Sequence, residues 1–217
     1  MLKVWGRATS SNVQKVMWAI GELGLDHERI DLGGQHGGLD TDAYGKLNPN
    51  RVVPTLEDRG RVIWESNAIV RYIAAQYGAG SLWPQDPGER ALADMWMDWA
   101  ATTIRDDYVT VFFGLVRIPP EHRDMDAINR AIVRLNGIYA KLDAHLAGRD
   151  FIAGDHLTMG DIPAGMTLFR YYDMPLDRPS LPNLEAWYAR LQERAAYREH
   201  VMVSYESLRN DTIPQND

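Results

Sequence analysis

The chain has 217 residues, 45% hydrophobic, 24% charged and 10% aromatic, an ordinary globular composition that excludes wholesale disorder and allows one large domain or two small ones. Lys and Arg number 23 against 30 Asp and Glu, a net charge of −7 with no basic stripe, so general nucleic-acid binding is not expected. Apolar runs fall far short of the ~20 residues that span a bilayer, the first residues lack a signal-peptide core, and a cytoplasmic protein with no membrane partner is expected.

Leu2-Lys3-Val4-Trp5 alternates like a short strand, and so does the segment 28–32. Between them Val13, Val16, Met17, Ile20 and Leu23 recur at helical spacing, and Gly24 ends that helix. This predicts a strand–helix–strand unit with parallel strands. Thr55-Leu56-Glu57-Asp58 and Val62-Ile63-Trp64 flank Arg59-Gly60-Arg61 and read as a hairpin. A helix follows, with Ile69, Val70, Ile73, Ala74 and Tyr77 on one face.

A Gly- and Pro-rich segment, 79–88, reads as a linker after a first domain at 1–78. The remainder, 89–217, carries little strand pattern and predicts an all-helical domain. Its helices are expected at 89–116, 126–147, 160–172 and 183–194, and 210–217 reads as a frayed tail. No internal repeat is visible.

There is no cysteine. Disulfides, thiolate metal sites and a cysteine nucleophile are all excluded, so any sulfur chemistry needs a thiol carried by a ligand. The six histidines, His27, His36, His122, His145, His156 and His200, show no metal-ligand spacing, and no metal is assigned.

Val53-Pro54-Thr55-Leu56 is the first informative stretch. A cis bond before Pro54 exposes the Val53 backbone to an extended peptide, whereas base rates for X–Pro bonds favour trans. In Glu65-Ser66-Asn67-Ala68-Ile69, Ser66 reads as the helix N-cap. Free N–H groups at that helix start suit a carboxylate, and Glu65 suits an ammonium; the plain alternative is a cap beside a solvated acid. Thr9-Ser10-Ser11-Asn12 opens the first helix, with Ser11 or Asn12 as its N-cap. Thr158-Met159-Gly160-Asp161 is a capping-box variant with a structural role. Trp96, Trp99, Tyr108, Phe112 and Phe113 supply aromatic packing, and Trp99 and Thr103, four apart, share one helical face.

In order and spacing these motifs resemble the soluble glutathione transferase superfamily over nearly the whole chain. The resemblance implies a thioredoxin-like α/β N-terminal domain, an all-α C-terminal helical domain, a homodimer, a role in detoxification and a cis proline at Pro54. It places the cysteinyl backbone of glutathione on Val53 and Pro54 and its γ-glutamyl head on Glu65 and Ser66. Arg51 stands near the glycyl carboxylate, where related classes place His or Lys, and Gln35 or His36 approaches the same end. Trp99, Thr103 and Tyr108 are the candidates for the electrophile pocket.

The family activates the thiol with a Tyr, Ser or Cys after the first strand. No Tyr lies between Met1 and Asp42 and no Cys anywhere, which leaves the serine type of theta-like enzymes. Counting back four from Lys15 selects Ser11. In a branch related to a yeast nitrogen regulator an Asn three residues before that base takes this role, which selects Asn12. Ser10 stays possible and Thr9 ranks last. The implied activity is glutathione S-transfer to an electrophile or peroxide. The alternatives are a glutathione-dependent disulfide reductase using two glutathiones, and a non-catalytic binding or regulatory protein.

Overall fold

The structure, a computed structural model, describes residues 1–210. Its first half is a four-stranded sheet in the order β2-β1-β3-β4. β1 (Leu2–Trp5) leads into α1 (Ser11–Glu22) and then β2 (His27–Ile30), and β1 and β2 are parallel with Leu2 opposite His27. The expected second strand, 28–32, therefore starts one residue earlier and stops at Ile30.

Leu2 and Val4 face the core, as do Val13, Val16, Met17 and Ile20 of α1. Gly6 ends β1 at a φ of +150°, and a Cβ there would lie 2.3 Å from a Val13 methyl. The strand end can pass that close to α1 only as glycine.

A short 3₁₀ turn (Gly34–His36) and a helix absent from the sequence reading, α2 (Asp42–Leu47), precede the hairpin. Thr41 caps α2 by accepting from the Tyr44 N–H at 3.3 Å. β3 (Thr55–Asp58) and β4 (Arg61–Trp64) pair antiparallel. Arg59 and Gly60 turn between them with φ of 51° and 76°, the positive-φ pair that suits a two-residue hairpin. α3 (Ser66–Tyr77) packs beside β4, and its Tyr72 and Tyr77 hydroxyls both donate to the Asp58 carboxylate.

The segment 79–88 is tied down at both ends. The Trp83 N–H donates to the Gly78 carbonyl at 2.9 Å, and buried Leu82 accepts from the Met159 N–H at 2.9 Å. Asp86 accepts from the N–H groups of Gly88 and Glu89, so α4 (Pro87–Trp99) begins two residues before the expected 89, with proline at its first position.

The expected long helix at 89–116 is one rod with two wider turns in it. After α4 come a π-helical turn (Ala100–Ile104), α5 (Arg105–Phe112) and a second π-helical turn (Phe113–Arg117). α6 (Met125–Leu146), α7 (Asp161–Asp173) and α8 (Pro182–Gln192) lie close to their expected positions, and a short α9 (Ala195–His200) follows. Trp18, Trp187, Tyr139, Tyr171 and Tyr197 are fully buried. Trp18 of α1 meets Tyr197 of α9 edge-on at 4.8 Å. Gly165 of α7 lies under the same indole, where a Cβ would come within 2.9 Å of the ring. The α/β half and the helical half thus share packing around α1.

Asn210, expected in a frayed tail, donates its N–H to the Val116 carbonyl at 2.8 Å; the rest of that tail, 211–217, lies outside the described residues. Among the described residues no helix is long and apolar enough to cross a membrane.

Candidate functional site

A cleft of about 490 Å³ opens where the start of α1, the cis-proline loop and the start of α3 meet the long helical rod and α7. It brings together Ser11, Asn12, Val53, Pro54, Glu65, Ser66 and Tyr108 from the sequence reading. It does not bring in Ser10, Gln35, His36, Arg51, Trp99 or Thr103, which are absent from its lining.

The start of α1 differs from expectation in one residue. Ser10, not Ser11 or Asn12, is the N-cap: it is fully buried in extended conformation, and its hydroxyl faces the Val13 N–H at 3.5 Å. That occupies Ser10 structurally and leaves Ser11 and Asn12 in the first helical turn at the cleft. Ser11 Oγ accepts from Arg170 Nη1 of α7 at 2.8 Å. Asn12 Oδ1 accepts from Ser66 Oγ at 3.2 Å.

The Val53–Pro54 bond is cis. A buried polar knot holds this loop. Tyr44 Oη and Asn48 Nδ2 donate to the Val52 carbonyl at 2.7 and 2.9 Å, and both also meet Thr55 Oγ1. Val53 itself keeps its N–H and C=O without a protein partner among the described residues, a strand edge of two groups open to a ligand.

Ser66 is not the cap of α3. The cap position belongs to Glu65, which sits at φ 70°, ψ 111° and makes no side-chain bond to the helix. The first N–H groups of α3 are therefore uncapped and face the cleft beside the Ser66 hydroxyl, where the partial positive charge of a helix start favours a carboxylate. The Glu65 carboxylate is exposed next to them.

Lys15 adds a cation from α1, donating to Asn67 Oδ1 at 3.4 Å. Burial pulls its pKa down to about 8, nearby Arg105 pulls the same way and Glu65 opposes them. It is charged at neutral pH and loses that charge as pH rises through about 8.

Ile104, Tyr108, Val109, Phe112, Phe113 and Met166 make an apolar wall opposite. The buried Tyr108 hydroxyl has no hydrogen-bond partner among the described residues. Trp99 and Thr103 fall off this wall because the spacing that paired them presumes 3.6 residues per turn. The π-helical turn at Ala100–Ile104 adds a residue to the turn and rotates them away. Trp99 packs instead edge-on against Trp96 at 4.9 Å.

Arg51 takes φ 53° and folds back over α2, donating to the Leu39 and Thr41 carbonyls at 3.1 and 2.8 Å. Gln35 and His36 lie on the exposed 3₁₀ turn, 3.5 Å from each other, with His36 3.8 Å from Asp31. Sequence reasoning missed Arg170, Tyr44 and Asn48. The last two stand just before the cis-proline motif and were legible as its support; Arg170 carried no local signal. Among the described residues no group of three His, Asp or Glu side chains is placed to hold a metal ion.

A four-stranded thioredoxin-like half joined to a helical half, with an open strand edge and an uncapped helix start in the cleft between them, is the glutathione S-transferase fold. The models of the glutathione S-transferase N-terminal and C-terminal domains match residues 9–76 and 125–190, and the chain belongs to this family. It is 42% identical to glutathione S-transferase GstB of Escherichia coli K12 over 94% of this chain and 99% of that protein. It is similar at 48% identity and a TM-score of 0.90 to the theta class glutathione S-transferase of Xanthomonas axonopodis pv. citri solved with glutathione bound, covering 94% of this chain and 98% of that one. Glutathione S-transferase D6 of Drosophila melanogaster is 29% identical over 88% of this chain and 87% of its own.

Proposed function

We propose that the cleft binds glutathione, ionises its thiol and delivers the thiolate to an electrophile or peroxide held against the apolar wall. The observation that carries this is the uncapped start of α3, with Glu65 and Ser66 beside it, in one cleft with the unpartnered backbone of Val53 and the hydroxyl of Ser11. The γ-glutamyl carboxylate meets the backbone N–H groups at the start of α3, that of Ser66 included, its ammonium meets Glu65, and the cysteinyl amide pairs with Val53. Residues 1–78 then hold glutathione, 79–88 connect, and 89–217 supply the electrophile side through Tyr108 and its neighbours, in the cytoplasm.

A free thiol of pKa ~8.5 is only about 3% ionised at pH 7. One hydrogen bond to the anion contributes roughly 1.5–3 kcal/mol, and a pKa unit is about 1.36 kcal/mol, so a single donor lowers the pKa by about one to two units. Ser11 is that donor, acting by hydrogen bonding and forming no covalent intermediate. The start of α1 adds to the same field. The thiolate attacks an electrophilic carbon, a C–S bond forms, and the leaving group departs with the electron pair of the broken bond; with a hydroperoxide it attacks a peroxide oxygen, the O–O bond breaks to release an alcohol after protonation, and a second glutathione converts the resulting sulfenic acid to the disulfide and water. Tyr108 packs in the apolar wall against which the electrophile is held.

A second reading, disulfide reduction with two glutathiones, has one observation in its favour. Asn12 Oδ1 is occupied by Ser66, which leaves the Asn12 amide N–H₂ as an alternative donor in the same cleft. Turnover with an aryl halide, a hydroperoxide and a mixed disulfide separates the two activities.

Calorimetry is expected to show glutathione binding with micromolar to millimolar affinity, about −8 to −4 kcal/mol. Glu65→Gln is expected to weaken it about tenfold by removing the charge opposite the ammonium. No saturation by about 10 mM glutathione contradicts this assignment.

We also propose a homodimer. Val62 and Trp64 on edge strand β4 are both 39% exposed, and Leu92 and Met95 on α4 are 51% and 52% exposed, apolar surface of the kind a twofold mate covers. Light scattering is expected to give about twice the 24.6 kDa chain mass; a value at the chain mass contradicts it.

A further inference from the structure

Arg170 lies 159 residues from Ser11 in sequence, on the far half of the molecule, and its Nη1 donates to the Ser11 hydroxyl oxygen at 2.8 Å. Its Nη2 donates to the Thr9 carbonyl at 2.6 Å. Arg170 is only 2% exposed, its guanidinium lies over the Phe112 ring at 4.2 Å and near the Tyr205 ring at 5.7 Å, and its buried Nε has no partner among the described residues. Among the described residues no carboxylate pairs with it. Asp173, one turn further along α7, is taken by the Tyr205 hydroxyl.

A buried cation without a counter-ion is costly, and its field is least screened where water is excluded. Guanidinium can only donate. Ser11 Oγ must therefore act as acceptor toward Arg170, and its single hydrogen is left for another partner. The hydroxyl is polarised by a positive charge and keeps its hydrogen for a donor role at the cleft that Ser11 lines.

We propose that Arg170 is a positioning residue for thiol activation: it locks Ser11 as a donor to the glutathione sulfur and strengthens that donor. This rests on the reading of Ser11 as the activating residue. The other charged groups around the sulfur site are Lys15 of α1, Glu65 before α3, Arg71 of α3, and Asp98 and Arg105 of the helical rod. Arg71 is held by Asp94 and Asp98. None of these five is bonded to the Ser11 hydroxyl among the described residues.

The test is ultraviolet titration of the thiolate in the glutathione complex of the parent, Ser11→Ala, Arg170→Met, Arg170→Lys and the double variant Ser11→Ala/Arg170→Met, with glutathione affinity and Tm measured alongside. Arg170→Met is expected to raise the bound-thiol pKa by about one unit, while affinity changes less than threefold. Its loss of kcat/KM at pH 7 is expected to be recovered near pH 9. Arg170→Lys, which keeps the charge but cannot span both Ser11 and Thr9, is expected to give an intermediate shift. In the Ser11→Ala background Arg170→Met is expected to add little. If Arg170→Met does not fold, Arg170→Lys is compared with and without Ser11→Ala in the same way.

A bound-thiol pKa unchanged in Arg170→Met, with Ser11→Ala shifted, overturns the inference and leaves the reading of Ser11 intact. An equal shift from Arg170→Met with and without Ser11 also overturns it, because the charge then acts directly. No shift in Ser11→Ala overturns the reading itself, and the inference with it.

Discussion

Ser11→Ala is expected to raise the pKa of the bound glutathione thiol by about one to two units, the value of one hydrogen bond to an anion. At pH 7 the thiolate fraction then falls from near half or more to a few per cent, and kcat/KM falls roughly tenfold. Affinity for glutathione changes little, because Val53, Glu65 and Ser66 do not depend on that hydroxyl. Asn12→Ala behaves differently. Asn12 holds the Ser66 hydroxyl at 3.2 Å, so its loss is expected to appear chiefly in glutathione affinity. The pH–rate profiles of both variants check this. A pKa shift confined to Asn12→Ala moves the activating role to the amide and favours disulfide reduction over conjugation.

Asp161→Ala is expected to be the most destabilising single change. Asp161 is fully buried and accepts from the Ile152 and Thr158 N–H groups at 2.8 and 2.9 Å, and from Thr158 Oγ1 at 3.3 Å. It ties the loop before α7 to the helix start, and α7 carries Arg170 into the cleft. Truncation leaves two buried backbone donors unpaired at about 1–3 kcal/mol each, a loss of about 3–5 kcal/mol in denaturant unfolding. A loss under 1 kcal/mol contradicts it.

The same residue has a pH signature. Burial raises the Asp161 carboxyl from 3.8 to about 6, against the pull of its hydrogen bonds. Between those values the folded state holds a proton that the unfolded state has released. The stabilisation from this group is therefore complete below about 4 and lost as pH rises through about 6. Over two units this amounts to about 3 kcal/mol, and Asp161→Asn is expected to remove that slope.

What could be read from the sequence was what is local in the chain. The βαβ unit shows in the change from alternating residues 2–5 to the helical spacing of Val13, Val16 and Ile20. The hairpin shows in Arg59-Gly60, and the α/β side of the cleft in Val53-Pro54 and Glu65-Ser66. Ser11 was placed ahead of Asn12 and Ser10 by the resemblance alone, because three adjacent side chains can each cap a helix and only the entry angle of the chain decides which one does. Ser10 took the cap, which freed Ser11 for the cleft.

The helical half was harder. Trp99 and Thr103 matched a 3.6-residue period that the π-helical turn at Ala100–Ile104 breaks, and no residue type marks such a turn. Arg51 was assigned by position alone, while its positive φ swings the guanidinium back to the Leu39 and Thr41 carbonyls. Arg170 was invisible because its partners, Ser11 and Thr9, lie on the other half of the chain and meet it only after both halves have packed.

The central claim is that this cleft ionises glutathione without any cysteine of its own. Difference ultraviolet titration of the parent protein saturated with glutathione measures it directly, since neither the protein nor an S-methylated glutathione control contributes a thiolate. The expected result is a thiolate signal that titrates about one to two units below the free thiol's ~8.5. A signal that titrates at the free value, or no signal beyond that of glutathione alone in buffer, contradicts it.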